Sequence, residues 1–320
     1  MGKSKNSVNS LKDDGSKKNN NKSSLKNEDR MEQARATSDT PAYKSKILPE
    51  LSLTPVIPKN QISGLKEKAN YLDSTLIDFF SHKCSNKIIK KFGKFDFCIA
   101  RNVIAHTANP NDIFKGVSYL MNNKSIFAIE VPHLENIYKD NQYDNMFHEH
   151  IGFHSIQSIH DLCIKNDLKI VNVQKIDSQG GSIRCYISKK NSKEKIKNNV
   201  NFLLKKEKKI GLFNLRTWIN FSKKVNAHKK KLNNFLKKLK IKQNNISAYG
   251  ASGKGHLLLQ VCGINNNYLD SVYDKSKLKQ GKYTPGTHIK IIDPKFIKAK
   301  NTDYLLLLSW NLSKEIAKQE

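Results

Sequence analysis

The sequence predicts an α/β protein made of two units in which parallel strands alternate with helices. In the first unit a continuous apolar run, Phe95–Ala100 (FDFCIA), is typical of a buried parallel strand, and a helix pattern from Asn109 to Met121 follows it. In the second unit an apolar strand begins at Ile246 and leads through a glycine-rich turn into a helix. Between the units, apolar side chains recur at helical spacing from Asn214 to Ile241, which predicts one long amphipathic helix.

The chain changes character before the first buried strand. Residues 1–47 consist mostly of Lys, Asn, Ser, Asp and Glu, so we expect a disordered polar tail that cannot bury enough apolar surface to fold. From Leu48 onward apolar residues return, and the pattern predicts a helix over Asn60–Tyr71 and a strand over Thr75–Phe80. The first folded unit is therefore expected to begin at residue 48.

The rest of the first unit alternates between strands and helices. Pro110 and Asp112 stand in the first turn of the helix after Phe95–Ala100, where residues of these types are favoured. The elements that follow are a strand over 125–131, a helix over 156–166, and an antiparallel pair of strands over 169–176 and 183–188.

The turn that opens the second unit carries Gly250, Gly253 and Gly255. Its pattern is GxxGxG, which is neither the dinucleotide fingerprint nor the Walker sequence. A glycine-rich turn between a strand and a helix still offers backbone N–H groups and a helix N-terminus to a phosphate, and Lys254 adds positive charge. The remaining elements of this unit are strands over 268–274 and 303–310 and a terminal helix.

Charge is unevenly distributed over the chain. The 57 Lys and Arg outnumber the 28 Asp and Glu, and the segment from Lys189 to Asn245 alone holds 18 Lys and one Arg against two Glu. Asn and Ile rise with Lys while Arg is scarce, which indicates compositional bias more than a phosphate-binding face, because phosphate recognition favours the arginine fork. We therefore expect neither nucleic acid nor a membrane as partner; salt-dependent polyanion binding by the lysine-rich helix is the alternative.

The expected parts are a polar tail (1–47), a first α/β domain (48–190), a lysine-rich linker with the long helix (191–245) and a second α/β domain (246–320).

Cysteine spacing and hydropathy exclude several classes of protein. The five cysteines are scattered without a CxxC pair, so a zinc ribbon is excluded and free thiols in a reducing cytoplasm are expected. The sequence has no apolar run of roughly 18 residues, the length that a membrane span needs, and its first residues lack the apolar core of a signal peptide. We therefore expect a cytoplasmic protein.

The segment Tyr143–Ser155 (YDNMFHEHIGFHS) concentrates titratable groups. His148, Glu149 and His150 are adjacent, and histidine is the side chain whose pKa lies closest to neutral, so it can serve as an acid or a base. A neighbouring carboxylate can fix its tautomer and stabilise its protonated form. The alternatives are a solvated turn and half of a metal site. Zincin histidines stand four apart on a helix and these stand two apart, so no metal is expected.

Two further features favour a ligand near this segment. In open α/β sheets ligands bind beyond the carboxyl ends of the strands, and residues 101–106 and 130–134 follow two predicted strands. In QGGSIR, Gly180–Gly181 permits positive φ, while Ser182 and Arg184 offer donors to an anion or a sugar hydroxyl. An ordinary hairpin turn is the alternative explanation of QGGSIR.

Several motifs occur together, in the order RNVIAH, IFAIEVPHLENI, YDNMFHEHIGFHS, QGGSIR, AYGASGKG, YDKSKLKQGKYTPGTHIKI and LLSWNLSKEI. In content and order they resemble the S-adenosylmethionine-dependent sugar C-methyltransferases, which act on nucleotide-linked keto-deoxysugars, and the similarity runs from roughly Pro55 to the end. The resemblance implies an incomplete class I methyltransferase (Rossmann-like) sheet followed by a second, C-terminal Rossmann-like α/β domain. Family members also carry an N-terminal zinc-binding cysteine module and a first strand with a glycine-rich cofactor loop. Neither has a match in this sequence, so we expect an N-terminally truncated chain.

The resemblance implies S-adenosylmethionine as cofactor and a nucleotide-diphosphate sugar as substrate. It assigns the catalytic base to His150, which forms the enolate that attacks the methyl sulfonium, and it gives Glu149 an orienting role. The implied cofactor-binding residues are Asn60, Asn102, Val103 and His106. The implied substrate-binding residues are Phe147, His148, Ser182, Arg184, Tyr249, Ser252 and Lys254.

Two positions depart from the family pattern. Phe147 stands where members usually carry Tyr, and Ile57 precedes Pro58 where members tend to carry an acidic residue that binds the cofactor ribose. The missing glycine loop favours a second hypothesis, a truncated or split chain that binds a nucleotide-sugar without turnover. A separate polypeptide would then supply the zinc module and the glycine loop. The retained HEH and RNVIAH motifs favour the enzyme.

Overall fold

The computed structural model describes residue 76 and residues 78–319. The strands of their first sheet are β1 (Phe95–Arg101), β2 (Met121–Pro132), β3 (Leu168–Ile176) and β4 (Ser182–Lys189). The strand order is β1-β2-β4-β3, with β1 parallel to β2 and with β4 antiparallel to both of its neighbours. The predicted α/β class is confirmed, and the predicted strand pair over 169–176 and 183–188 is antiparallel as expected.

Helices bury their apolar sides against this sheet and against one another. They are α1 (His82–Phe92), α2 (Pro110–Leu120), α3 (Leu134–Lys139), α4 (Ile156–Lys165) and α5 (Asn198–Ile210). The helix α2 begins as predicted, because the Asn109 side chain accepts the Asp112 N–H at 3.2 Å and Pro110 occupies the first helical position. Buried side chains of α1, α2, α4 and α5 join those of the strands in one cluster, the first core.

A second sheet follows the long helix α6 (Leu215–Ile241), which agrees with the predicted helix. Its strands are β5 (Ile246–Tyr249), β6 (Val272–Tyr273), β7 (Ile291–Ile292) and β8 (Tyr304–Leu307), all parallel and in the order β7-β6-β5-β8. The helices α7 (Gly253–Cys262) and α8 (Ser313–Gln319) accompany them. The buried side chains of α6, α7 and this sheet form the second core.

The segment between β2 and α4 crosses from one core to the other. Ile137 and Tyr143 are buried in the second core, and Phe153 packs against it. The Tyr143 hydroxyl contacts His228 Nδ1 on α6 at 3.1 Å and Cys262 Sγ on α7 at 3.3 Å. The residues around the HEH motif therefore lie where the two cores meet.

The carboxylate of Glu207, on α5, holds both ends of this crossing segment. The His133 Nε2 atom, just after β2, lies 2.8 Å from Glu207 Oε1, and the Ile156 N–H donates to the same oxygen at 2.8 Å. The Gln157 N–H donates to Oε2 at 3.0 Å, so the carboxylate also satisfies the first turn of α4. Glu207 is fully buried, which makes each of these contacts costly to lose.

The predicted strand over Thr75–Phe80 is wrong for the residues that the structure describes there. They are irregular and lead into Ser81, whose side-chain oxygen accepts the Cys84 N–H at 3.0 Å and begins α1. The ring of Phe80 is buried in the first core, so the apolar pattern marks an anchored ring rather than a strand. The predicted tail over 1–47 and the predicted helix over 60–71 lie outside the described residues.

Other elements differ from the sequence-based expectation in length or number. The strand predicted over 268–274 is reduced to β6, and the one over 303–310 to β8, which leads into a 3-10 helix at Trp310–Leu312. The helices α1 and α5 were not predicted. The division of the chain into four parts stays a prediction.

The cysteines are the free thiols that the sequence predicts, and all five are buried. Burial raises the pKa of the Cys98 thiol to about 12, so this thiol stays protonated. Over the described residues, no helix combines the length and the apolar character that crossing a bilayer requires.

We expect Glu207→Ala to lower the free energy of unfolding by about 3 kcal/mol, because it leaves His133 and two helix N–H groups buried without their partner. Urea denaturation followed by circular dichroism measures this loss. The matched control is Glu194→Ala, at an exposed position, for which we expect a change within about 0.5 kcal/mol. Equal losses in the two variants would contradict the role assigned to Glu207.

Candidate active site at the junction of the two cores

A cavity of ≈ 190 Å³ lies where the carboxyl ends of β1 and β2 meet the HEH segment and the β3–β4 turn. Its lining residues are Asn102, Ala105, His106, Pro132, Phe147, His150 and Gln179. Four of these, Asn102, His106, Phe147 and His150, were singled out in the sequence. The cavity therefore brings together residues from separate predicted motifs.

The imidazole of His150 is held in one orientation by a backbone carbonyl. Its Nδ1 lies 2.8 Å from the Asn145 carbonyl oxygen. A carbonyl oxygen can only accept a hydrogen bond, so Nδ1 carries the proton and Nε2 of the neutral ring keeps a free lone pair. The ring also packs on Phe147, with centroids 4.2 Å apart, and meets the His106 ring edge-on at 4.9 Å. In this orientation Nε2 is the ring nitrogen that can accept a proton.

The surroundings of His150 keep it neutral. Burial lowers the pKa of its imidazole below the ordinary value of 6.5, against the opposing effect of the hydrogen bond to Asn145. The charges of His106 and Lys254 lower the pKa further, and Glu149 raises it. The unfolded chain takes up this proton more readily, so the group costs stability as the pH falls through 6.5.

The residues that follow β1 line another part of the cavity. Asn102 adopts a left-handed conformation (φ 53°), and its N–H donates to the Glu130 carbonyl at 2.9 Å. Its Oδ1 is buried and has no hydrogen-bond partner within the described residues. A buried acceptor without a partner fits a ligand that carries an N–H or O–H donor. His106 ends the short 3-10 helix that follows, and Val103 is buried in the first core.

Backbone hydrogen bonds join the HEH segment to the residues that follow β1 and β2. The Gly152 N–H donates to the Ala105 carbonyl at 3.0 Å, and the Leu134 N–H donates to the His154 carbonyl at 2.9 Å. His154 itself is buried, and burial lowers the pKa of its imidazole. The segment is thus fixed on both sides of His150.

His148 and Glu149 are largely exposed to solvent and do not line the cavity. Their side chains are 89% and 55% exposed, and His148 Nε2 lies 4.0 Å from Glu149 Oε1. The sequence predicted that Glu149 orients His150 or stabilises charge; in the structure the Asn145 carbonyl accepts the hydrogen bond from the ring of His150. The roles of His148 and Glu149 stay predictions.

Two predicted substrate-binding residues on β4 have protein partners. Ser182 Oγ donates to the Ser178 carbonyl at 3.0 Å, within the turn. Arg184 Nη2 donates to Glu130 Oε2 at 2.8 Å, and Arg101 contacts the other oxygen of the same carboxylate at 3.3 Å. Neither Ser182 nor Arg184 is among the residues that line the cavity.

Tyr249, Ser252 and Lys254 lie at the start of the second sheet, outside the cavity lining. Tyr249 is buried beside β6. Ser252 caps α7 by accepting the Gly255 N–H at 3.1 Å. The buried Lys254 ammonium donates to the Gln179 carbonyl at 2.9 Å. Lys254 does not line the cavity itself, but it contacts a residue that does. Asn60 lies outside the described residues.

The glycine-rich turn packs against the end of β8. A Cβ at Gly255 would lie 2.6 Å from Leu308 Cβ, and one at Gly250, where φ is 92°, would collide with the Ser309 side chain. The glycines are therefore required by contacts within the protein.

The sequence assigned no individual role to Ala105, Pro132 or Gln179, although they lie within the segments 101–106 and 130–134 and the QGGSIR motif. Gln179 has a left-handed backbone (φ 56°) and faces the cavity from the β3–β4 turn. Its place immediately before Gly180–Gly181 marks a turn, but nothing in the local sequence says what the turn faces.

Parts of this chain are similar to known methyltransferases. Residues 177–320 match the family described as the C-methyltransferase C-terminal domain. The C-methyltransferase NovU of Streptomyces niveus is 30% identical over 241 residues, which is 75% of this chain and 57% of NovU. The chain thus spans little more than half the length of that relative.

Solved structures share only a part of the fold. The PH0226 protein of Pyrococcus horikoshii is 15% identical, with 42% of this chain and 68% of that chain covered and a TM-score of 0.32. An S-adenosylmethionine-dependent methyltransferase of Clostridium acetobutylicum is 12% identical, with 41% and 72% covered and a TM-score of 0.31. Similarities this weak carry no conclusion about function.

For His150 we expect the Nδ1–H tautomer at neutral pH, because Nδ1 donates to a carbonyl, and a titration midpoint below 6.5, because partial burial lowers the pKa of the imidazole. Two-dimensional ¹H–¹⁵N NMR of the histidine rings measures both quantities, with His150→Gln identifying the signals. A midpoint above 6.5, or a proton on Nε2, would contradict this geometry.

Proposed function

We propose that the chain is a C-methyltransferase that methylates a carbon beside the ketone of a nucleotide-linked deoxysugar, with S-adenosylmethionine as methyl donor; the match of residues 177–320 to the C-methyltransferase C-terminal domain and the 30% identity to NovU support this. The observation that carries the proposal is His150, which lines the cavity at the strand ends and whose Nδ1 is held by the Asn145 carbonyl, so that Nε2 is left to accept a proton. Methylation of carbon needs a base, and this histidine is half-buried, has a lowered pKa and is fixed in orientation.

The proposed reaction begins with a proton transfer from the substrate to His150. A ketone acidifies the neighbouring C–H, and His150 Nε2 takes that proton as the C–H bond breaks. The electron pair moves into an enolate, and its carbon becomes the nucleophile. A base of this kind contributes about 10²–10⁴-fold to the rate. S-adenosylmethionine, when bound, supplies a methyl group on a positively charged sulfur.

The described part of the chain offers a partial fit to the cofactor. The unpartnered Oδ1 of Asn102 suits a hydroxyl or ammonium donor, and His106 lies next to it at the end of β1. We assign these two residues, with Val103 as buried support, to the cofactor side of the cavity. The role of Asn60 belongs to the same proposal.

On the substrate side, Phe147 is the assigned residue that lines the cavity. Its ring packs on His150 and also faces Gly253 at the start of α7, so it forms a wall between the base and the second sheet. A ring without a hydroxyl shapes the pocket by packing alone. The protein contacts of Ser182, Ser252 and Lys254 account for these residues without a ligand, and their roles toward a nucleotide-sugar remain part of the proposal.

One observation favours the non-catalytic alternative, a nucleotide-sugar-binding chain that depends on a partner polypeptide. Within the described residues β1 is an edge strand, and Ile99 on it is 41% exposed. An edge strand with exposed apolar side chains is a place where another strand can pair.

Calorimetric titration separates the two functions. We expect S-adenosylmethionine to bind with a micromolar Kd, about −8 kcal/mol, and thymidine-diphosphate 4-keto-6-deoxyglucose to bind as a second ligand. Binding of the nucleotide-sugar alone would support the non-catalytic chain. Binding of neither would overturn both functions.

Removal of the base should abolish deprotonation of the substrate. In D₂O the wild-type chain is expected to exchange the proton beside the ketone of thymidine-diphosphate 4-keto-6-deoxyglucose, and His150→Asn should slow this exchange by about 10²–10⁴-fold. Mass spectrometry of the sugar measures the rate. The matched control is His82→Ala on α1, whose ring packs on Tyr119 and which should exchange at the wild-type rate. An unchanged rate in His150→Asn would remove His150 as the base.

A further inference from the structure

The β3–β4 turn places Gln179 on the wall of the cavity, where the residue remains exposed. Gln179 lines the cavity and has φ 56°, a backbone conformation that is uncommon for residues other than glycine, asparagine and aspartate. Such a conformation persists only when the surrounding contacts impose it, and it often marks a functional position. The contacts of the turn should therefore show what holds Gln179 in this conformation.

The turn is held from several directions. The Lys254 ammonium donates to the Gln179 carbonyl at 2.9 Å, and Gln142 Nε2 donates to the Gly180 carbonyl at 2.7 Å. Across the turn, the Gly181 N–H donates to the Ser178 carbonyl at 2.9 Å. All of these bonds are made to the backbone at 178–181, so they fix the position of Gln179 without using its side-chain amide.

The indole of Trp310 adds a steric limit on the other side of the turn. A Cβ at Gly180 would lie 2.5 Å from the Trp310 ring, so the turn rests closely on it. The Trp310 N–H donates to Asp144, just before the HEH motif. The turn and the segment that carries His150 are thus held to each other through the same residue.

The sheet places Gln179 on the side of the cavity opposite to the cofactor residues. In β2, Glu130 pairs with Arg101 of β1 on one side, and Pro132 pairs with Ser182 of β4 on the other. Asn102 and His106 follow β1, while Gln179 precedes β4. Pro132 lies between these two walls, and His150 closes the cavity with Phe147.

We propose that Gln179 contacts the substrate, and that its side-chain amide N–H donates a hydrogen bond to the ketone oxygen and to the enolate oxygen that forms from it. This inference rests on the proposed function and names a residue for it. When His150 takes the proton, negative charge moves onto the oxygen, and a fixed donor stabilises that charge more than it stabilises the neutral ketone. An amide suits the task because its N–H donates a hydrogen bond but is too weakly acidic to give up its proton to His150 or to the enolate.

The chain offers a matched pair of variants for the test. Gln179 and Gln243 are both glutamines with positive φ, 56° and 60°, so glycine is compatible with either backbone. Gln243 lies just after α6 and, like Gln179, is exposed, but it does not line the cavity. Gln179→Gly and Gln243→Gly therefore remove the same side chain with the same effect on the backbone, and only one removes it from the cavity.

The readout is the exchange of the proton beside the ketone of thymidine-diphosphate 4-keto-6-deoxyglucose in D₂O, in the presence of S-adenosylhomocysteine. We expect Gln179→Gly to slow the exchange by about 10²-fold, as loss of one such donor does, and Gln243→Gly to stay within about twofold of wild type. Gln179→Glu, which replaces the donor by a negative charge, should slow it at least as much. Thermal unfolding midpoints of both glycine variants should equal or exceed that of wild type.

The outcomes separate this inference from the proposed function. Exchange at the wild-type rate in Gln179→Gly overturns the role of Gln179 and leaves the base in place. A wild-type chain that shows no exchange overturns the proposed function, and the role of Gln179 with it. A slowed Gln179→Gly with a lowered unfolding midpoint also counts against the inference, unless Gln179→Glu slows the exchange at an unchanged midpoint.

Discussion

The buried carboxylate of Glu207 is the group on which the geometry of the site depends. It accepts from His133 at one end of the crossing segment and from the first N–H groups of α4 at the other. A segment of this length would lose much entropy if it were fixed only by its own contacts. Because Glu207 holds both ends of the segment, less entropy remains to be lost when the segment is ordered. Single hydrogen bonds, such as that from His150 Nδ1 to the Asn145 carbonyl, then suffice to orient the ring of His150.

The site also depends on having two cores. Asn102 and His106 follow a strand of the first core, whereas the segment that carries His150 is anchored in the second core by Ile137 and Tyr143. The cavity exists only where these surfaces meet. Lys254 and Trp310 reach across from the second half to the β3–β4 turn and to Asp144, and their partners are a carbonyl oxygen and a carboxylate. Such directional contacts set the relative position of the two walls more sharply than apolar packing does.

Sequence periodicity predicted the elements that bury a continuous or regularly spaced apolar surface. The strand at 95–101, the helix at 110–120 and the long helix α6 all follow from it. It failed at Thr75–Phe80, where the aromatic residue is an anchor, and at β6, where a short parallel strand owes its extent to its neighbours in the sheet. In the site, the HEH motif drew attention because histidine chemistry is visible in the residue type, and the resemblance then assigned the base to His150. The Asn145 carbonyl and Gln179 were missed because a backbone oxygen and a left-handed turn become functional only through long-range contacts.

The glycine-rich turn shows how one pattern can satisfy two different physical demands. Glycines, a helix N-terminus and a lysine are what a phosphate site needs, and they are also what close packing needs. In this fold Gly255 lets α7 approach Leu308, Ser252 occupies a free N–H of that helix, and Lys254 places its charge on the Gln179 carbonyl. A buried ammonium is stable only with partners, and its hydrogen bond is made to the turn that walls the cavity. The lysine that suggested a phosphate therefore supports the shape of the site where the ketone is proposed to bind.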